Sequence, residues 1–167
     1  MTRDVHRIQV KFMATLVLGL FCTSTVCAQA AKSEEKSHIM LAPGAITWAA
    51  CPPSVPQGAQ CAAIMGDPTK ADTQFSFRIK MPDNFRIPPH FHPADENVVV
   101  ISGVLNMGLG DKFDPSSMHA LPVGGFASMQ KGTHHFASAK GETIIQVFGI
   151  GPWGITYVNP KDDPRTR

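Results

Sequence analysis

Between Leu41 and Pro160 apolar and polar residues alternate with a period of two, and the 3.6-residue helical period is nearly absent. Phe75, Phe77 and Ile79 alternate with Ser76, Arg78 and Lys80, which predicts a half-buried strand over residues 73–81 with its aromatic side inward. Residues 87–92, 97–102, 104–109, 126–130, 135–139 and 143–150 read as further short strands. Gly103 reads as a turn between two of them, and Asp114-Pro115 as the start of a single helical turn inside a long loop over residues 111–121. Trp153, Ile155 and Tyr157 alternate in a last strand. Many short strands with Gly and Pro between them predict an all-β sandwich or barrel.

The first thirty residues depart from this pattern. Arg3, Arg7 and Lys11 precede an apolar run from Phe12 to Phe21, and Ala28-Gln29-Ala30 places small residues around a cleavage point. Residues 1–30 are expected to be a secretory signal peptide. The run is shorter than the roughly 20 residues of a membrane-spanning helix, which argues against a permanent anchor. Residues 31–42 are polar enough to be a flexible N-terminal arm. Residues 43–160 suit one compact domain, and residues 161–167 form a polar tail.

Removing the leader also removes Arg3, Arg7, Lys11 and Asp4, so the formal charge of +2 becomes zero. A neutral chain without a basic patch argues against nucleic acid or an anionic membrane surface as partner. Cys22 and Cys27 leave with the leader. Cys51 and Cys61, separated by a segment stiffened by Pro52, Pro53 and Pro56, are expected to form a disulfide in a periplasmic or secreted protein. The alternative is a pair of free thiols on neighbouring strands.

One stretch, His90-Phe-His92-Pro-Ala-Asp-Glu96, turns the question from fold to chemistry. Residues two apart on a strand share a face, so His90 and His92 can lean toward one point while Phe91 faces away. Glu96 has the same parity, and Pro93 permits the bend that brings its carboxylate round. Imidazoles suit zinc, iron and nickel, and an added carboxylate admits manganese. His134 and His135 offer a further imidazole, although strand alternation sends the two rings to opposite faces.

These residues carry a family resemblance. His90-x-His92-x3-Glu96-x6-Gly103 resembles the first conserved motif of the cupins, and Gly124 through Gly132-x-x-His135 resembles the second. The resemblance covers roughly residues 48–160. It implies a single double-stranded β-helix (jelly-roll) barrel with His90, His92, Glu96 and His135 as ligands of one divalent ion: iron, manganese, zinc or nickel. The cupin spacing selects His135 over His134, which is left as a rim residue or a donor behind the ligands. Asn84, Gln130 and Ala139 stand where the family has glycine, proline and asparagine. All three are scaffold positions, and Asn can adopt the left-handed geometry of the glycine it replaces. Within the superfamily the chain is similar to small exported cupins and to the cupin half of certain zinc-dependent anti-sigma regulators.

Four protein ligands leave one or two positions of a five- or six-coordinate ion open, as catalytic sites do. The first functional expectation is an exported metal-dependent dioxygenase or related oxidoreductase for a small organic molecule, with Glu96 as a candidate proton acceptor. The second is a non-catalytic cupin that holds a metal or small ligand as sensor, carrier or store. Val98, Val100 and Ser102 share the parity of Glu96, and Gln146 and Phe148 are assigned inward, which makes Gln146 a candidate donor behind the ligands. Val99 and Ile101 face outward. An apolar pair there asks for cover from residues 46–65 or from a second subunit, so a homodimer is one expectation.

Overall fold

The computed structural model describes residues 38–166. The expected signal peptide and residues 31–37 of the expected arm lie outside them. Among the described residues every regular element is a strand or a short 3-10 turn, and none is a helix long and apolar enough to cross a membrane.

Nine strands follow in chain order: β1 (Ala49–Ala50), β2 (Gln60–Met65), β3 (Gln74–Met81), β4 (Arg86–Phe91), β5 (Glu96–Leu109), β6 (His119–Leu121), β7 (Phe126–Met129), β8 (His135–Ile150) and β9 (Thr156–Tyr157). All pairings are antiparallel, in the order β1-β2-β3-β8-β4-β9, and β5 joins the sheet along β8 while carrying β6 and β7 on its other side. The expected pattern in β3 is present, with Phe75, Phe77 and Ile79 buried. They meet Val98, Val100, Leu105, Ile145 and Val147 in one core, as an all-β barrel requires.

Two expectations are corrected. The turns expected at Gly103 and near Gly141 are creases inside continuous strands, because β5 and β8 pair with each other from Asn97↔Phe148 to Leu109↔His135. The register shifts between Val100 and Ser102 and again between Ser102 and Val104, while Gly103 (φ +74°) and Gly141 (φ +72°) take left-handed backbone. The buried Thr143 hydroxyl stitches the crease, accepting from Val104 N at 3.3 Å and lying 3.1 Å from Val104 O. The expected long loop is also shorter, since His119–Leu121 pairs with Leu105–Met107. Asp114 caps the 3-10 turn Pro115–Ser117 by accepting from Ser116 N.

The creases set the position of the site. A straight strand of 14 residues would hold its ends roughly 44 Å apart. Glu96 nevertheless comes within 3.4 Å of His135, the residue paired with the far end of the same strand. β5 therefore curls through most of a turn of the barrel, bringing its first residue to the partner of its last.

Asn84 takes φ +61° in the turn into β4, the left-handed geometry its side chain allows. Val99 and Ile101 face outward, and Ile101 is 37% exposed. β2 pairs with β3 rather than covering β5. The tail is held by Arg165, which pairs with Asp163 at 2.6 Å and donates to Ile155 O at 3.2 Å.

Cys51 and Cys61 are joined by a disulfide across the β1-β2 region, with Cα atoms 4.8 Å apart. A ring this small constrains the unfolded chain modestly. Replacing both cysteines by alanine is expected to lower stability by about 2–3 kcal/mol, read from urea unfolding extrapolated to zero denaturant.

Candidate metal centre

His90 and His135 are directly opposed on β4 and β8, so their rings share the inner face with 4.2 Å between centroids. His92, one residue beyond β4, brings its ring to 4.9 Å from His90 and 5.1 Å from His135. Ligand atoms of the three histidines lie within 4.8 Å of one another, a group that could hold a metal ion. Glu96, the first residue of β5, places Oε2 3.2 Å from His92 Nε2 and 3.4 Å from His135 Nε2. All four side chains are buried, with exposures between 1% and 5%. The segments carrying them are tied together, because Gly132 N donates to His92 O at 3.0 Å and Lys131 N to Asp95 Oδ1 at 2.8 Å.

The outer nitrogen of each ring is engaged by the backbone. His90 Nδ1 donates to Pro88 O at 2.7 Å, His92 Nδ1 to Gly154 O at 2.7 Å, and His135 Nδ1 to Thr133 O at 3.0 Å. A carbonyl only accepts, so Nδ1 carries the proton in all three and each Nε2 presents a lone pair to the centre. The Nε2 atoms of His92 and His135 are buried and have no hydrogen-bond partner. Each faces a carboxylate oxygen that is also an acceptor. Two acceptors this close need a positive charge between them, supplied by a proton or by a cation.

The protonation pattern follows. Burial, reinforced by the neighbouring rings of His135 and His92, lowers His90 to about 3. Burial opposes charge on His92 as well, but the Glu96 carboxylate against its Nε2 prevails and raises it above the ordinary histidine value. Burial would raise Glu96; the His135 and His92 rings against its Oε2 outweigh it and hold the carboxyl well below the usual range. A proton on His92 and a cation at the centre therefore compete for the same side of Glu96 Oε2.

That competition gives pH dependence a sign. Metal affinity is expected to fall about tenfold per pH unit once pH drops below the raised His92 value, and binding at neutral pH to release up to about one proton. Calorimetric zinc titrations in two buffers of different ionisation heat measure that release. The metal-free fold responds separately: an unfolded histidine takes up a proton near pH 6.5 that buried His90 refuses until about 3, so this group's contribution to stability is lost as pH is lowered from about 6.5 toward 3.

Trp153 was not singled out from the sequence, and it completes the centre. Its indole Nε1 donates to Glu96 Oε1 at 2.9 Å, leaving Oε2 to face the histidines, and its ring stacks on His92 at 5.1 Å. The available signal was a half-buried indole N–H needing an acceptor, in a Gly151-Pro-Trp-Gly154 loop where an alternating strand was expected. Only residues 156–157 are strand there.

Gln146 is elsewhere. Because β8 is unbroken, the inward parity of His135 runs on to Ile145 and Val147, which line the central cavity, while Gln146 accepts from Arg78 Nε at 3.1 Å on the outer face. His134 also lies off the centre, with its Nδ1 on Asp111 Oδ1 and its ring stacked on Phe91. The cavity facing the four ligands measures about 20 Å³ and is otherwise lined by apolar residues such as Val98, Met107 and Ile155. That is room for about one ion or water-sized species.

A curled antiparallel barrel with three inward histidines is the architecture of a cupin, and solved structures agree. The chain is similar to the polyketide cyclase RemF from Streptomyces resistomycificus (TM-score 0.60, 16% identity, covering 76% of this chain and 89% of that one). It is also similar to the DMSP lyase DddQ from Ruegeria pomeroyi DSS-3 (0.55, 14%, 77% and 75%) and an RmlC-like cupin from Shewanella frigidimarina NCIMB 400 (0.52, 13%, 69% and 93%). At these identities the likeness is one of fold. The chain belongs to the family described as Domain of unknown function (DUF4437), whose model matches residues 45–162. No curated protein matches the sequence significantly.

Proposed function

We propose that this chain is an exported cupin in which His90, His92, His135 and Glu96 hold one divalent ion, and that it acts on a small organic molecule there as a metal-dependent oxidoreductase of the dioxygenase kind. The observation that carries the metal site is the pair of buried, unpartnered Nε2 atoms facing a carboxylate already fixed by Trp153. A divalent ion in that position would supply Lewis acidity and, as iron or manganese, redox chemistry toward dioxygen. The chain's own residues do the rest. Three backbone carbonyls fix the ring tautomers, Trp153 orients Glu96, and the apolar cavity wall excludes bulk water. Glu96 Oε2, freed of its histidine contacts, is the nearest proton acceptor.

Catalysis draws support from the enzymes that share the fold, since a polyketide cyclase and a DMSP lyase both transform organic molecules. Export draws support from the leader pattern and from the disulfide. One observation favours the second reading, a non-catalytic metal-binding module: the central cavity of about 20 Å³ has no room for a substrate while Trp153 stays in place. Elemental analysis of protein purified from the export compartment, followed by oxygen uptake with small diols, diketones and oxalate-like acids, separates them. Stoichiometric metal with turnover supports the oxidoreductase. Retained metal with no turnover leaves the binding module, and no retained metal defeats both.

A further inference from the structure

We infer that a second cavity, of about 350 Å³ and sharing Trp153 as a wall, is the organic-substrate pocket of the metal centre, and that it takes a small, uncharged, mainly apolar molecule. The inference rests on the metal-centre reading above. Val55 and Trp153 are walls of both spaces, which sets the four ligand side chains beside a volume in the range of small-molecule sites.

The lining chooses the ligand. Ala49, Pro52, Ala63 and Phe77 give apolar contact, and no charged side chain lines the cavity, so phosphates, sugar acids and ammonium groups would enter without a partner. Its hydroxyl-bearing members do not change this: the Thr69 hydroxyl donates to Asp67 Oδ1 at 2.7 Å, and the buried Ser76 hydroxyl lies on the opposite face of β3 from Phe77. A small apolar body matches walls of this kind.

Occupancy also reaches the metal ligands. Gly154, whose carbonyl fixes His92 Nδ1, lines the cavity, and so does Trp153, whose N–H fixes Glu96. An occupant pressing on this loop acts on the two ligands it orients. The Cys51–Cys61 disulfide holds the opposite wall, because Cys61 lines the cavity from β2. Displacing the indole would open the small inner space to the larger one.

The chain has two tryptophans, and Trp48 lies against Lys80 rather than at the site, so Trp48→Phe leaves Trp153 as sole reporter. In that background the zinc-loaded protein is titrated with acetophenone, following Trp153 fluorescence together with calorimetry. Saturable binding is expected. Ala63→Trp, which fills the cavity from an exposed strand position, should weaken it at least about tenfold. Absent or non-saturable acetophenone binding, or binding indifferent to Ala63→Trp, overturns the pocket. Failure of the metal reading looks different: zinc affinity would then be unchanged by His135→Ala, whatever acetophenone does.

Discussion

His135→Ala is expected to lower zinc affinity by more than about 100-fold while leaving the β-sheet circular dichroism intact. Loss of a partner behind a metal ligand already costs about 10- to 100-fold, and removing a ligand should exceed that. The ring is almost wholly buried and its Nδ1 is held by Thr133 O, so no neighbouring side chain replaces it. The matched control is His134→Ala, one residue away, with an exposed ring turned to Asp111. It should hold zinc within about twofold of wild type. Competition against a chromogenic chelator reads both. Equal losses in the two variants would mean a nonspecific effect, and wild-type affinity in His135→Ala would remove the metal centre from the structure.

Where the sequence carried the site, it did so through parity and spacing. His90 and His92 two apart, and Glu96 four further on, could share a face only if a bend followed the histidines; the structure has that bend at residues 93–95 and brings the groups together. The strand character of residues 74–81 was legible because Phe75, Phe77 and Ile79 alternate with polar neighbours. Gly103 and Gly141 misled because glycine marks both reversals and bulges, and only the partner strand decides which occurs. The misplacement of Gln146 is a consequence, since a strand taken as broken at Gly141 can resume with either parity. Trp153 escaped because its partner Glu96 is 57 residues away and the loop that carries it has no period to read. Long-range polar pairing of this kind leaves little local trace.

The crease at Gly103 has the largest expected effect on folding. A side chain there meets two obstacles at once. The backbone is left-handed at φ +74°, which costs an L-residue about 1–2 kcal/mol, and its Cβ would fall 2.5 Å from both Glu142 O and Thr143 Oγ1. Displacing the Thr143 hydroxyl also unpicks the bonds it makes to Val104 across the bulge. Gly103→Ala is therefore expected to destabilise the fold by about 2–5 kcal/mol, summing the backbone strain with the ordinary cost of overpacking. Gly141→Ala isolates the contact, because Gly141 has nearly the same φ, +72°, and nothing within 4 Å of its Cβ position. It should lose only the strain, about 1–2 kcal/mol. The effect should extend to the metal, because the bend at Gly103 is what carries Glu96 round to His135. Urea unfolding of both variants, with and without zinc, tests the two claims together. Zinc should stabilise Gly141→Ala as much as wild type and Gly103→Ala less. Equal destabilisation in the two variants would show that the close approach to Glu142 and Thr143 contributes nothing, and an undiminished zinc increment in Gly103→Ala would show that the ligands come together without the crease.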